Sequence, residues 1–215
     1  RRRPLVIGAG STYGRIRGLM GTEAASLALY DDPELVYDMI EFVRVQNRKY
    51  VFPLIERLRP EVVACWEDIG YKTSMLISPG QFRKFCAPLY REIADCARSC
   101  GVPVLTVDSD GCAMELVPLL VECGFNSLYP FEAKGNNDLF DLRERFPEMV
   151  MFGWLEKEVI NEGNEHLIET EIRGKVPRLL EKGGYFPNGD HGIQPLVTFP
   201  SLHKFMTILH EVCRN

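Results

Sequence analysis

One pattern constrains this chain more than any other. Short apolar, β-branched runs recur, each closed by acidic side chains and each followed by residues at helical spacing. Val102 to Val107 is such a run, too short for a helix and suited to a buried strand. It ends in Asp108, Ser109 and Asp110, after which Gly111 turns the chain toward a helix predicted over residues 116–121 and stopped by Gly124. Val62 to Trp66 repeats the pattern and runs into Glu67 and Asp68, and Ser127 to Phe131 ends in Glu132. In parallel α/β sheets, ligands and catalysts sit at the carboxyl ends of strands. Helix capping accounts for one aspartate after Val107, but not for two with a serine between them.

The remaining segments continue the alternation. Leu5-Val6-Ile7 predicts a strand, followed by a Gly8-to-Gly14 loop of the form Gly-x-Gly-x-x-x-Gly. That spacing, with no acidic residue closing a second strand about 20 residues on, departs from the dinucleotide-binding fingerprint. The loop instead offers Ser11, Tyr13, Arg15 and Arg17 just past a strand. Asp32-Pro33 opens a long amphipathic helix that Pro60 ends. Ser78-Pro79-Gly80-Gln81 has the capping-box form, and its helix runs to Gly101 with a kink expected at Pro88. A small helix is predicted over residues 139–146, a strand over 149–152, a helix capped by Asn164 through Leu180, and a final helix over 199–212.

Alternating strands and helices imply a parallel sheet with right-handed crossovers. The count is roughly six strand–helix units, against about 250 residues for a complete eight-fold barrel. The expected fold is therefore α/β, a TIM (β/α)8-type barrel lacking its N-terminal units. On that reading, residues 1–215 form one barrel domain, the C-terminal portion of a longer chain, as the Arg1-Arg2-Arg3 start also suggests. A flavodoxin-like open sheet is the alternative. Missing strands would leave open edges able to pair with another chain, so a homodimer is expected.

Net charge of −5 gives no nucleic-acid footprint. No run approaches the ~20 apolar residues of a membrane span. Seven cysteines without a Cys-x-x-Cys pair read as a reduced, cytoplasmic protein.

If the strands share a barrel, Glu67, Asp68, Asp108, Asp110, Glu132, Asp190 and His191 face one mouth. Such a set can bind a divalent metal through His191 and carboxylates, or move protons with shifted pKa values. His191 stands out because glycine, proline and an aspartate surround it. His166, His203 and His210 lie in helical stretches and receive no role. Lys157 and Glu156, just past Gly153, are weaker candidates, since a charge pair opening a helix is normally solvated surface. Trp66, Tyr71, Tyr129, Phe131 and Trp154 either line the mouth or belong to the core.

With these residues in view, the chain resembles the uroporphyrinogen decarboxylase superfamily, which also includes methyltransferases serving corrinoid proteins. The likeness spans essentially the whole chain. It is carried by Trp66-Glu67-Asp68, Leu76 through Phe82, Val107-Asp108-Ser109-Asp110-Gly111, Gly124 to Glu132, and Gly183-Gly184-Tyr185 through Pro195. It implies a TIM barrel with its site at the carboxyl ends of the strands. Against true decarboxylases, His191 matches a tetrapyrrole-contacting residue, Asp68 replaces a serine, and a substrate tyrosine falls on Ile16, with Tyr13 close by. Against the corrinoid-linked enzymes, the zinc-binding His-x-Cys and later Cys fall on Thr106, Asp108 and His191, so harder ligands replace the thiolates.

The resemblance implies a metal-assisted methyltransferase or demethylase. Asp108, His191 and Asp68 would be catalytic, and Asp108, His191 and Glu132 would hold a divalent metal such as zinc. Glu67, Asp110, Tyr13, Arg15 and Tyr71 would contact a small methylated substrate, with a corrinoid protein or tetrahydrofolate as methyl partner. Metal-free decarboxylation of a tetrapyrrole in porphyrin biosynthesis and a non-catalytic ligand-binding barrel are the alternatives.

Overall fold

A computed structural model describes residues 3–214; Arg1 and Arg2, on which the reading of the chain's start partly rests, lie outside the described residues. Six strands form one sheet: β1 (Val6–Gly8), β2 (Val62–Trp66), β3 (Val104–Asp108), β4 (Ser127–Phe131), β5 (Val150–Leu155) and β6 (Tyr185–Gly189). All neighbours pair in parallel and follow one another in chain order. A flavodoxin-like sheet reverses direction at a switch point. Here every crossover steps the same way, the arrangement of successive units in a (β/α) barrel.

The strands alternate as a two-faced sheet requires. Val63, Cys65, Leu105, Val107, Leu128 and Met151 are buried under the helices. The opposite face carries Ala64, Trp66, Thr106, Asp108 and Tyr129, aligned by register. On that face Phe152 stacks on Phe186 at 4.7 Å and meets Tyr129 edge-on. Trp66, Tyr129 and Phe186 stay substantially exposed.

Side-chain caps fix the helix starts. Asp32 accepts from the Leu35 N–H, Ser78 from Gln81, Asp138 from Phe140 and Asp141, and Asn164 from His166 and Leu167. Two of the prolines in helical stretches, Pro53 and Pro88, are accommodated by widened turns. A π-turn at Asn47–Val51 precedes the helix Phe52–Leu58, whose first turn holds Pro53. A second π-turn at Phe82–Cys86 precedes Ala87–Ser99 and takes the place of a simple kink at Pro88. In both, proline falls where its missing N–H is least costly. Sequence reading assigns no element to residues 14–31, yet helices Tyr13–Met20 and Thr22–Asp31 fill them. Gly14, Gly18 and Gly21 break the apolar period there, and only three residues of each helix are buried.

Candidate functional site at the strand ends

The carboxyl ends of β2 to β5 are tied into one platform. Ser109 Oγ accepts from the Ile69 and Gly70 amides, while its own N–H reaches the Tyr129 carbonyl. Asn137 donates to the Gly111 and Glu132 carbonyls and accepts from the Ala113 amide. Its own carbonyl accepts from the Trp154 indole. Glycines allow this closeness: a Cβ on Gly70 would lie 2.1 Å from the Asp110 carbonyl oxygen, and one on Gly135 would lie 2.7 Å from that of Gly111.

On this platform His191 is enclosed by charge. Its Nε2 lies 3.2 Å from Glu132 Oε1 and 3.4 Å from Asp110 Oδ1. Its Nδ1 lies 3.4 Å from Asp190 Oδ1 and 3.4 Å from Lys157 Nζ. Glu132 is aimed by the Gly111 amide, which donates to its Oε2, and Asp190 by the Ala133 amide. One donor atom each from Asp110, Glu132 and His191 lies within 4.8 Å of the others. An imidazole and two carboxylates suit a borderline divalent metal. The carboxylate of Asp190 beside Nδ1 is the outer partner that fixes a ligating histidine's tautomer. The residues present therefore fit a metal.

The grouping differs from the sequence expectation at one ligand. Asp110 joins Glu132 and His191, whereas Asp108 does not. Asp108 is the last residue of β3, held in register beside Trp66 and Tyr129, and Asp110 sits beyond it on the turn closed by Gly111. Lys157, expected on solvated surface, reaches His191 and Asp190 instead. Only the fold could reveal this, because 34 residues separate Lys157 from His191.

Asp108 lines a cleft of about 450 Å³ with Trp66, Arg15, Ser11 and Leu19. Burial, and then the Asp110 and Asp68 carboxylates, raise its pKa, with His191 opposing them. Asp68 adopts a left-handed φ of 45° and pairs with Arg17 at 2.5 Å. The Arg17 guanidinium also lies 5.6 Å from the centre of the Trp66 ring. Tyr71 is 62% exposed beside the platform.

Two expected substrate contacts lie elsewhere. Tyr13 is 1% exposed and its hydroxyl bonds Ser26, so it belongs to the core. Glu67 is 0% exposed and accepts four hydrogen bonds: from the Thr12 amide and hydroxyl, the Gly14 amide and the Tyr90 hydroxyl. The glycine loop thus presents its amides to an internal carboxylate, where a nucleotide loop would hold a phosphate. A Cβ on Gly14 would lie 2.5 Å from the Glu67 carbonyl oxygen, which explains the third glycine.

A family model described as uroporphyrinogen decarboxylase (URO-D) matches residues 2–212. Among solved structures, a methyltransferase from Methanosarcina mazei superposes with a TM-score of 0.70 at 17% identity. The alignment covers 97% of this chain and 58% of that one, so this chain spans little more than half the length of its structural neighbour. No curated protein sequence matches.

Proposed function

We propose, from the premise that this chain belongs to the uroporphyrinogen decarboxylase family, that it is a metal-assisted methyltransferase or demethylase. Its substrate would be a small O- or N-methylated compound, and its methyl partner a corrinoid protein or tetrahydrofolate. The observation that carries this reading is the convergence of His191 with Asp110 and Glu132, backed by Asp190. These residues would hold a divalent metal, zinc among the candidates, and Asp108 would act from the neighbouring cleft. When bound, the metal would supply Lewis acidity toward the heteroatom that carries the methyl group.

The chain's own groups divide the remaining work. The cleft beside Trp66 and Leu19 offers an apolar wall to a methyl-bearing substrate, with Arg15 at its edge. Asp108, its pKa raised, is suited to hold a proton at that wall and pass it to a departing heteroatom. Arg17 holds Asp68 and so sets the charge Asp108 feels. The concentration of carboxylates weighs against a polycarboxylate tetrapyrrole, which calls for a basic mouth. Among the described residues no helix is long and apolar enough to cross a membrane. The seven cysteines, none of them in a disulfide, support a place in the reducing cytoplasm.

The test is elemental analysis of the full-length protein beside its His191→Ala, Glu132→Ala and Asp110→Ala variants. Near-stoichiometric divalent metal, lost in all three, supports the reading. No metal in carefully prepared wild type, or metal retained in all three variants, overturns it in favour of metal-free decarboxylation or ligand binding.

A further inference from the structure

Lys157 and Asp190 make opposite demands on one atom. Asp190 Oδ1 and Lys157 Nζ each lie 3.4 Å from His191 Nδ1, and they lie 3.7 Å from each other. An ionised carboxylate only accepts, so Asp190 needs a hydrogen on Nδ1. An ammonium only donates, so Lys157 needs a lone pair there. A neutral imidazole carries one hydrogen, and the choice at Nδ1 fixes Nε2 as well. With the hydrogen on Nδ1, Nε2 presents a lone pair, the form that ligates a metal. With Lys157 donating to Nδ1, the hydrogen sits on Nε2 and closes that atom to a metal.

The far side of the ring adds its own preference. Nε2 faces Glu132 Oε1 at 3.2 Å and Asp110 Oδ1 at 3.4 Å, and both oxygens accept only. In metal-free protein a lone pair on Nε2 would be set against two carboxylates, whereas an N–H answers them. Hydrogens on both nitrogens would satisfy the carboxylates but set an imidazolium 3.4 Å from the Lys157 ammonium. The state that satisfies every group is a neutral ring with its hydrogen on Nε2 and Lys157 donating to Nδ1. Asp190 is not stranded by it, since its Oδ1 keeps Lys157 and its Oδ2 keeps the Ala133 amide. Lys157 has a second acceptor in reach as well, because Glu158 Oε1 lies 3.9 Å away.

We propose that Lys157 is a positioning residue that opposes metal binding, by claiming Nδ1 and holding His191 in the tautomer that cannot ligate. A metal enters only as the hydrogen moves from Nε2 to Nδ1 and Lys157 turns to Asp190 and Glu158. Asp190 and Lys157 then act as a pair, one raising the affinity of the site and the other lowering it. The inference rests on the metal-centre reading above. A lysine with only a structural part would hold Asp190 and leave the ring indifferent.

Two measurements on the full-length protein test it. Proton–nitrogen correlation spectra of the histidine rings in metal-stripped protein read the tautomer, at about pH 8, where an ordinary imidazole is neutral. His191→Ala assigns the signal. A hydrogen on Nε2 alone is expected in the wild type, and a hydrogen gained on Nδ1 in Lys157→Met, which keeps the apolar stem and loses the charge. Competition with a chelating dye, with zinc as the probe, should then show affinity about tenfold or more tighter in Lys157→Met. Lys157→Arg, which keeps both donor and charge, should stay near the wild type. A wild-type ring with hydrogen on Nδ1, or zinc affinity that is present but unchanged or weaker in Lys157→Met, overturns this inference alone. Failure of the wild type to bind zinc at all overturns the metal-centre reading and this inference with it.

Discussion

Replacing Glu67 by alanine should cost folding stability before it costs chemistry. The carboxylate is fully buried and takes hydrogen bonds at 2.9 and 3.0 Å from the Thr12 and Gly14 amides, 2.7 Å from the Thr12 hydroxyl and 2.6 Å from Tyr90. Both amides belong to the start of the helix Tyr13–Met20, where no intrahelical acceptor exists. Each orphaned buried donor costs about 1–3 kcal/mol, and an anion at a helix N-terminus adds about 0.3–1 kcal/mol. Rotation of the two hydroxyls recovers part of this. A net loss of about 4 kcal/mol follows, within the range for breaking a buried charged network. With a urea dependence of about 2 kcal/mol per molar, the unfolding midpoint should fall by about 2 M. Glu67→Gln keeps the volume and can still accept from two donors, so its loss should be smaller. Circular dichroism through a urea series measures both variants. A shift below about 0.5 M in the alanine variant would refute the reasoning, because it would mean water already serves these donors. Lost activity at full stability would return Glu67 to the substrate.

Three further outcomes are expected. Asp108→Asn should raise the melting temperature at pH 7. The native carboxyl has a raised pKa, so the folded state is penalised as pH climbs above the ordinary aspartate value of about 3.9; a gain that persisted at pH 3 would contradict this sign. Asp190→Asn should weaken metal affinity by roughly 10–100-fold in competition with a chelating dye, through the ring of His191, and unchanged affinity would remove Asp190 from the site. In the native protein a thiol reagent should modify exposed Cys213 first, and Cys96, half-buried and pushed up to about 11, more slowly. Cys65, Cys86, Cys100, Cys112 and Cys123 should react only after denaturation. Rapid labelling of more than two thiols in mass spectra would speak against that packing.

The parallel alternation was legible because each strand is a β-branched run stopped by a polar cluster, and each later helix has a cap or a stop written beside it. Residues 14–31 were not, since glycines interrupt the apolar period and the helices there are held by tertiary contacts such as the Glu67 carboxylate. The acidic character of the strand ends was likewise visible, but not which carboxylates face His191. Glu67 and Asp68 are adjacent, yet one turns into the core and the other to Arg17. That choice depends on the pleat and on a left-handed backbone at Asp68, neither of which composition encodes. The partners of Lys157 and Arg17 were illegible for the same reason: they lie 34 and 51 residues away.

Asn137 has a consequence for how such a site can change over generations. Loops on a barrel rim are commonly independent modules, free to lengthen or vary one at a time. Here one amide side chain holds the turns after β3 and β4, and the same residue's carbonyl anchors the indole at the carboxyl end of β5. Three rim segments are thereby inherited as one part, and the glycines at 70, 111 and 135 leave no slack for a side chain between them. New specificity is freer to arise along β1 and the helix Tyr13–Met20, where Arg15, Gly18 and Leu19 border the cleft without touching the clamp.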